Sequence, residues 1–283
     1  MRSNNYAYVN GEFVPEAQAT VSIYDSGFLF GDGVFETMPV YSRRIFRFEQ
    51  HVQRLFRGLD RLKIEIPFSS AGLQGIFHKL CERDVTEGIA RVYVTRGPGA
   101  VVLSTKSSTQ PTVVAIAWPQ PAHPPQELRA IVSSVRVNTE SSLTQIKSAN
   151  RLPYILAKQE ATGAGADEAV LLNQAGHVAE FSAYNLFAIM GDRLFTPPVS
   201  DGALPGVTRE VVLELAGRLK IPAKEWSIKV ADLVDATEIF ATNSTRGIVP
   251  IVGLNKSLAQ QREITGRLQE AYHNLVREEL RPS

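Results

Sequence analysis

Lys147 stands in the stretch "QIKSANRLPYILAKQEA", residues 145–161, just ahead of a predicted helix start that contains Pro153. Its amine can condense with an aldehyde if its surroundings lower its affinity for a proton. Ile146, Ser148 and Ala149 beside it are small or apolar and leave room for a ligand. By residue type alone, a lysine among 30 basic residues is a solvated surface charge. Glu180, in "HVAEFSAYN", shares one face of a predicted strand with Val178 and Ser182 under two-residue alternation. Either that face is the wet side of an edge strand, or the carboxylate is interior and needs a cationic partner. A protonated pyridine nitrogen would be such a partner, and its protonation makes the ring an electron sink.

Other residues suit an anion. In "GALPGVTRE", Gly202, Pro205 and Gly206 precede a predicted helix beginning near Thr208. Free backbone N–H groups at a helix start bind phosphate, although a turn before a helix is also commonplace. "ATNSTRG", residues 241–247, is a second hydroxyl cluster or a plain polar loop. Neither is the lysine-containing glycine-rich loop of a nucleoside-triphosphate binder. Arg54 lies opposite an apolar stripe of Val52, Leu55, Phe56, Leu59 and Leu62, roughly in line with Arg57 and Arg61. That pattern is a solvated helix face, or a planar fork for a phosphate. His51 reads as a capping or surface histidine, with a base as the alternative. Asp32 in "FGDGVFE" reads as a tight turn rather than a metal site, since no second acidic cluster lies at ligand spacing.

These residues must be held by a chain of 283 residues, 44% hydrophobic and 21% charged, long enough for one large or two medium domains. The net charge of +1 gives no argument for nucleic acid or membrane partners. A lone cysteine, Cys81, excludes an intrachain disulfide and argues against a Cys-based metal site. No signal-peptide core or bilayer-length apolar run is present, so a cytoplasmic location is expected. The sequons at Asn243 and Asn255 are then idle.

"YAYVNGEFVP" and "ATVSIYD" have strand composition, the first with an Asn-Gly turn. "VFETMPVYSRRIFRF" predicts a hairpin around residues 42–44, and the stripe after His51 an amphipathic helix. "ARVYVTRG" and "PTVVAIAW" are two more strands. The proline cluster "PQPAHPPQE" is stiff and poor in backbone donors, which suits a linker. The expected organisation is therefore an N-terminal α/β domain over 1–118, a linker over 119–127 and a C-terminal α/β domain over 128–283. In the second part, "LRAIVSSVRVN" predicts a strand, 152–163 a helix, and 168–197 a meander of strands. A helix follows over "PGVTREVVLELAGRLK", then an apolar strand with a polar interruption, then a terminal amphipathic helix. The class is mixed α and β without regular βαβ alternation.

Seven motifs, in order, resemble the fold-type IV pyridoxal-phosphate enzymes: "FGDGVFE", "HVQRL", "TRG", "IKSAN", "DEAVLLNQAGHVAEFSAYNLF", "LPGVTR" and "DATEIFATN". That family includes branched-chain and D-amino acid aminotransferases, (R)-amine transaminases and aminodeoxychorismate lyases. The resemblance implies two α/β domains with the cofactor between them, usually in a homodimer whose partner contributes to the pocket. It implies that Lys147 is the Schiff-base lysine and proton shuttle, and that Glu180 pairs with the pyridine nitrogen. Arg54 is implied as the phosphate grip, helped by Leu204, Val207, Thr208, Thr242 and Asn243. Phe30, Thr37, Tyr93, Arg96 and Arg151 are the implied substrate-pocket residues. No metal is implied.

Within the family, branched-chain enzymes carry a tyrosine five positions after the lysine, where this chain has Leu152. They also show an "FEG.R.Y" strand where this chain has "FETMPVY". The D-amino acid enzymes use an arginine and a histidine after "TRG", and "TRGPGAVVLSTKSS" offers neither. "IKSANRL" and "FET" resemble aminodeoxychorismate lyases, which eliminate pyruvate with the same lysine, and assorted transaminases too. The expected activity is amino transfer between an amino acid or amine donor and a 2-oxo acid, with the lyase as the alternative.

Overall fold

A computed structural model describes residues 6–106, 108, 110–120, 125–254 and 262–281, without the side chains of 83 and 84. Contacts divide the chain into two compact units, one of 1–122 with 146–150 and the other of 123–145 with 151–281. Residues 121–124 of the expected linker and the Asn255 sequon lie outside the described residues.

The first unit is built on a six-stranded antiparallel sheet. Strands β1 (Tyr6–Val9) and β2 (Glu12–Pro15) form the expected hairpin. Asn10 and Gly11 make its turn with φ of 47° and 108°, a left-handed pair that Asn-Gly tolerates. "ATVSIYD" is not a strand. Val21, Ile23 and Tyr24 are exposed there, and Asp25 instead caps α1 (Ser26–Phe30) by accepting from Gly27 N at 2.8 Å. Strand β3 (Gly33–Tyr41) turns through Ser42 and Arg43, both left-handed, into the short β4 (Arg44–Ile45). Helix α2 (Phe48–Leu62) carries the apolar stripe and starts ahead of His51. Helix α3 (Ser70–Asp84) has the same signature, Leu73, Ile76, Phe77 and Leu80, and adds to the elements expected from sequence. Strands β5 (Gly88–Thr95) and β6 (Thr112–Pro119) complete the sheet, in the order β2-β1-β6-β5-β3-β4.

In β3 and β5, Phe35 pairs with Tyr93 and Thr37 with Arg91, so these four share one face of the sheet. Glu36, between them in sequence, points the other way, toward α2. Residues 146–150 dock along β3. Phe35 N donates to Lys147 O at 3.0 Å, and Ala149 N to Gly33 O at 2.9 Å.

The second unit holds an eight-stranded mixed sheet. Its elements in chain order are β7 (Leu128–Val137), α4 (Leu152–Gly163), β8 (Glu168–Asn173), β9 (Val178–Phe181), β10 (Asn185–Met190) and β11 (Arg193–Thr196). There follow α5 (Val207–Arg218), β12 (Ala223–Glu225), α6 (Val230–Val234), β13 (Glu238–Asn243), β14 (Gly247–Leu254) and α7 (Glu263–Glu279). The order is β12-β11-β10-β13-β14-β7-β8-β9, with β11–β12, β14–β7 and β7–β8 parallel. Leu186, Phe181, Ile228, Ala241 and Ile251 anchor its core. The polar interruption expected in the last apolar strand is the turn from β13 to β14, residues 244–246. Pro153 sits in the first turn of α4, where its missing N–H costs nothing.

Candidate active site

Lys147 is half-buried, and its side chain lies along the aromatic face of the first sheet, with Nζ 4.8 Å from the Phe35 ring centroid. The backbone bonds to β3 hold the chain at Lys147 and two residues beyond it. The lysine therefore leaves a braced backbone rather than a free loop.

Beneath the same strand lies a buried ionic cluster. Glu36, 1% exposed, accepts from Arg54 Nε at 2.7 Å and Nη2 at 2.8 Å, a bidentate fork. His51 Nδ1 is 2.9 Å from the second Glu36 oxygen. Arg54 is thus no solvated charge. It is 4% exposed while Arg57 in the same row is open, because Glu36 draws the guanidinium beneath the sheet. His51, expected at the surface or as a cap, is 1% exposed for the same reason. Burial alone would push Glu36 up, but the Arg54 charge, its hydrogen bonds and His51 together hold the carboxyl at about 2. Burial pushes His51 below its ordinary value. The Arg54 and Lys147 cations act in the same sense, against the pull of Glu36.

Thr37 and Tyr93, both expected in the pocket, meet at Arg91, which sequence reasoning missed. Arg91 donates to Thr37 Oγ1 at 3.0 Å and Tyr93 Oη at 3.3 Å. Its guanidinium carbon lies 5.6 Å from the Phe35 ring, 5.7 Å from Tyr93 and 5.6 Å from Trp118. Among the described residues no carboxylate pairs with it. The charge is held by two neutral hydroxyls and three π faces, and Phe35 lies against both this cation and the Lys147 amine. The available signal was period two: Arg91 and Tyr93 alternate with valines in "ARVYVT". Arg96, by contrast, is committed to structure. It forks onto Asp32 at 2.6 and 3.1 Å and donates to Leu62 O and Lys63 O, closing the Gly31–Asp32 turn. Phe30, at the end of α1, is 36% exposed.

In the second unit Glu180 is 5% exposed although β9 is an edge strand, since its neighbours Ala179 and Phe181 are buried as well. The interior alternative holds. Its Oε2 accepts from Leu204 N at 3.0 Å and Asn185 Nδ2 at 3.3 Å. The Tyr154 hydroxyl also bonds Glu180, and burial first, then the Glu180 charge, raises that phenol well above its ordinary value. Arg151 stacks on the Tyr154 ring at 3.5 Å and donates to Ser182 O at 3.1 Å.

The same patch contains an anion cradle. Helix α5 begins at Val207 with no side chain capping it, and its first backbone bond runs from Glu210 N to Gly206 O. The preceding N–H groups, at Val207, Thr208 and Arg209, have no partner within the helix. Asn185 ties this turn to Glu180: its amide also donates to Leu204 O at 2.8 Å, and a Cβ on Gly206 would lie 1.9 Å from its Oδ1. Across the strands Asn185 pairs with Thr242, whose hydroxyl is buried without a partner. Asn243 serves the turn instead, accepting from Arg246 N and Thr245 Oγ1. An acceptor at Glu180 beside N–H donors and a waiting hydroxyl fits a pyridine that carries a phosphate. Among the described residues no helix is long and apolar enough to cross a membrane.

The mixed α/β fold is that of the fold-type IV aminotransferases. The branched-chain aminotransferase of the archaeon Thermoproteus uzoniensis, solved with norvaline, superposes with a TM-score of 0.92 at 29% identity, over 98% of this chain and 96% of that one. The model of the class IV amino-transferases matches residues 33–254, and the chain belongs to that family of enzymes. A putative branched-chain-amino-acid aminotransferase of Methanocaldococcus jannaschii is 35% identical over 95% of both chains. An aminodeoxychorismate lyase of Bacillus subtilis is 32% identical over 95% of this chain and 94% of that one.

Proposed function

We propose that the protein is a pyridoxal 5'-phosphate-dependent aminotransferase that moves an amino group from an amino acid or amine to a 2-oxo acid. The observation that carries this reading is the Glu180 patch, where an ordered buried carboxylate lies beside an uncapped helix start and the Thr242 hydroxyl. Glu180 would hold the ring nitrogen; Arg54, Thr242 and the N–H groups of Val207 and Thr208 would hold the phosphate; Lys147 would be the amine that loads the cofactor. When bound, the cofactor supplies an electron sink for the carbon that loses its proton.

The chain's own residues do the rest. Lys147 Nζ would take the proton released from the substrate carbon and deliver it to the cofactor's carbon within the same half of the cycle, and carry a proton the other way in the return half. Glu180, fixed by Leu204 N, Asn185 and Tyr154, stays charged opposite the ring nitrogen. Arg91, with no carboxylate partner among the described residues, suits a negatively charged substrate group. A homodimer in the cytoplasm belongs to the same reading and is supported by the family resemblance.

A panel of donors and acceptors tests it. A donor alone should bleach the visible absorbance of the bound cofactor, and a 2-oxo acid should restore it. The lyase reading is favoured by "IKSANRL" and by the similarity to the Bacillus subtilis protein. Pyruvate release from aminodeoxychorismate, with no bleaching by any donor of either hand, would replace the first reading with the second.

A further inference from the structure

We propose that Tyr154 is a positioning residue for Glu180, and that Arg151 acts through it. This rests on the reading of Glu180 as the partner of a protonated ring nitrogen. The Glu180 carboxylate has two torsions to fix and sits on the last strand of its sheet, where no further strand braces it. Three groups take that place. Leu204 N and Asn185 Nδ2 both reach one oxygen, Oε2, from the α5 side. Tyr154 reaches the carboxylate from a different element, the first turns of α4.

A phenol hydroxyl is a mobile donor unless its ring is held. Here the ring is clamped by the Arg151 guanidinium at 3.5 Å, and that guanidinium is itself tied to the Ser182 carbonyl, two residues beyond Glu180. The loop closes on itself: Ser182 holds Arg151, Arg151 holds Tyr154, and Tyr154 holds Glu180. A hydrogen bond donated to a carboxylate favours its charged form, and a tyrosine whose own proton is held more tightly stays a donor across the working range. The arrangement thus keeps Glu180 both charged and oriented, the state that holds a pyridinium. Arg151, expected from the resemblance as a pocket residue, acquires a second task at the same position.

The test compares Tyr154→Phe, Glu180→Gln and the double variant, each as the cofactor-loaded protein. Read-outs are the cofactor dissociation constant, the pH midpoint of the cofactor's visible absorbance, and kcat. Loss of one hydrogen bond to a charged group should weaken cofactor binding and kcat by about tenfold in Tyr154→Phe and shift the absorbance midpoint, with melting temperature little changed. If Tyr154 acts through Glu180, adding Tyr154→Phe to Glu180→Gln changes nothing further. Additive effects, or a Tyr154→Phe protein with wild-type absorbance and affinity, would overturn the proposal while leaving Glu180 in place. Should Glu180→Gln itself alter neither absorbance nor affinity, the underlying reading of Glu180 fails instead. If Tyr154→Phe does not fold, Tyr154→His and Tyr154→Leu carry the comparison, a donor being kept in the first and lost in the second.

Discussion

Glu36, Arg54 and His51 form one buried unit at the residue scale, and its charges set a pH dependence. The folded Glu36 carboxyl is held down at about 2, below its unfolded value, so it stabilises the fold above that unfolded value. The contribution is lost as pH falls toward 2. His51 is also held below its unfolded value, so the unfolded chain takes up that proton first and stability declines as pH drops below the ordinary histidine range. Melting temperature should therefore fall in two stages on acidification, and a profile flat from pH 7 to 4 would contradict it. Glu36→Ala leaves the buried Arg54 charge uncompensated and should cost about 3–5 kcal/mol, read by denaturant unfolding. Arg91→Gln should raise KM for 2-oxoglutarate by about tenfold while leaving KM for pyruvate unchanged, because only the first carries a second carboxylate for the guanidinium. Equal changes for both acceptors would remove Arg91 from recognition. Lys147→Ala should abolish the visible absorbance of the bound cofactor and amino transfer together.

At the scale of elements, the decisive contact is between the start of α5 and strand β10. Gly206 has an ordinary backbone angle, so no left-handed φ requires glycine there. What requires it is Asn185 Oδ1, 1.9 Å from where a Cβ would stand. Gly206→Ala should push Asn185 off both Glu180 and Leu204 and weaken cofactor binding by more than about tenfold, two hydrogen bonds being disturbed. Equilibrium dialysis of the loaded variant checks this. Much at this scale was legible beforehand. The Asn-Gly hairpin, the α2 stripe, the boundaries of α4 and the β13–β14 turn all follow from local periodicity and turn chemistry. "ATVSIYD" was not, because strand composition does not supply a pairing partner, and the free edges of the sheet are taken by β2 and β4.

The whole chain carries Val21, Ile23, Tyr24 and Phe28 exposed within eight residues of each other in sequence, 51–71% open to solvent in a single copy. Burial of such side chains on a second copy is what a homodimer would provide. Light scattering should give twice 31.1 kDa, and Phe28→Ser with Ile23→Ser should shift that mass toward one copy. The sequence by itself determined the family and most of the strands and helices, because these depend on residue type and short spacing. It left Arg54, His51 and Glu180 each with two readings. A charge is solvated or buried according to what another segment places against it, and Glu36, Asn185 and Leu204 lie 15, 5 and 24 residues from the groups they hold. Only the tertiary structure brings those partners within 3.3 Å. It likewise decided the surroundings of Arg91, whose three aromatic neighbours come from different strands.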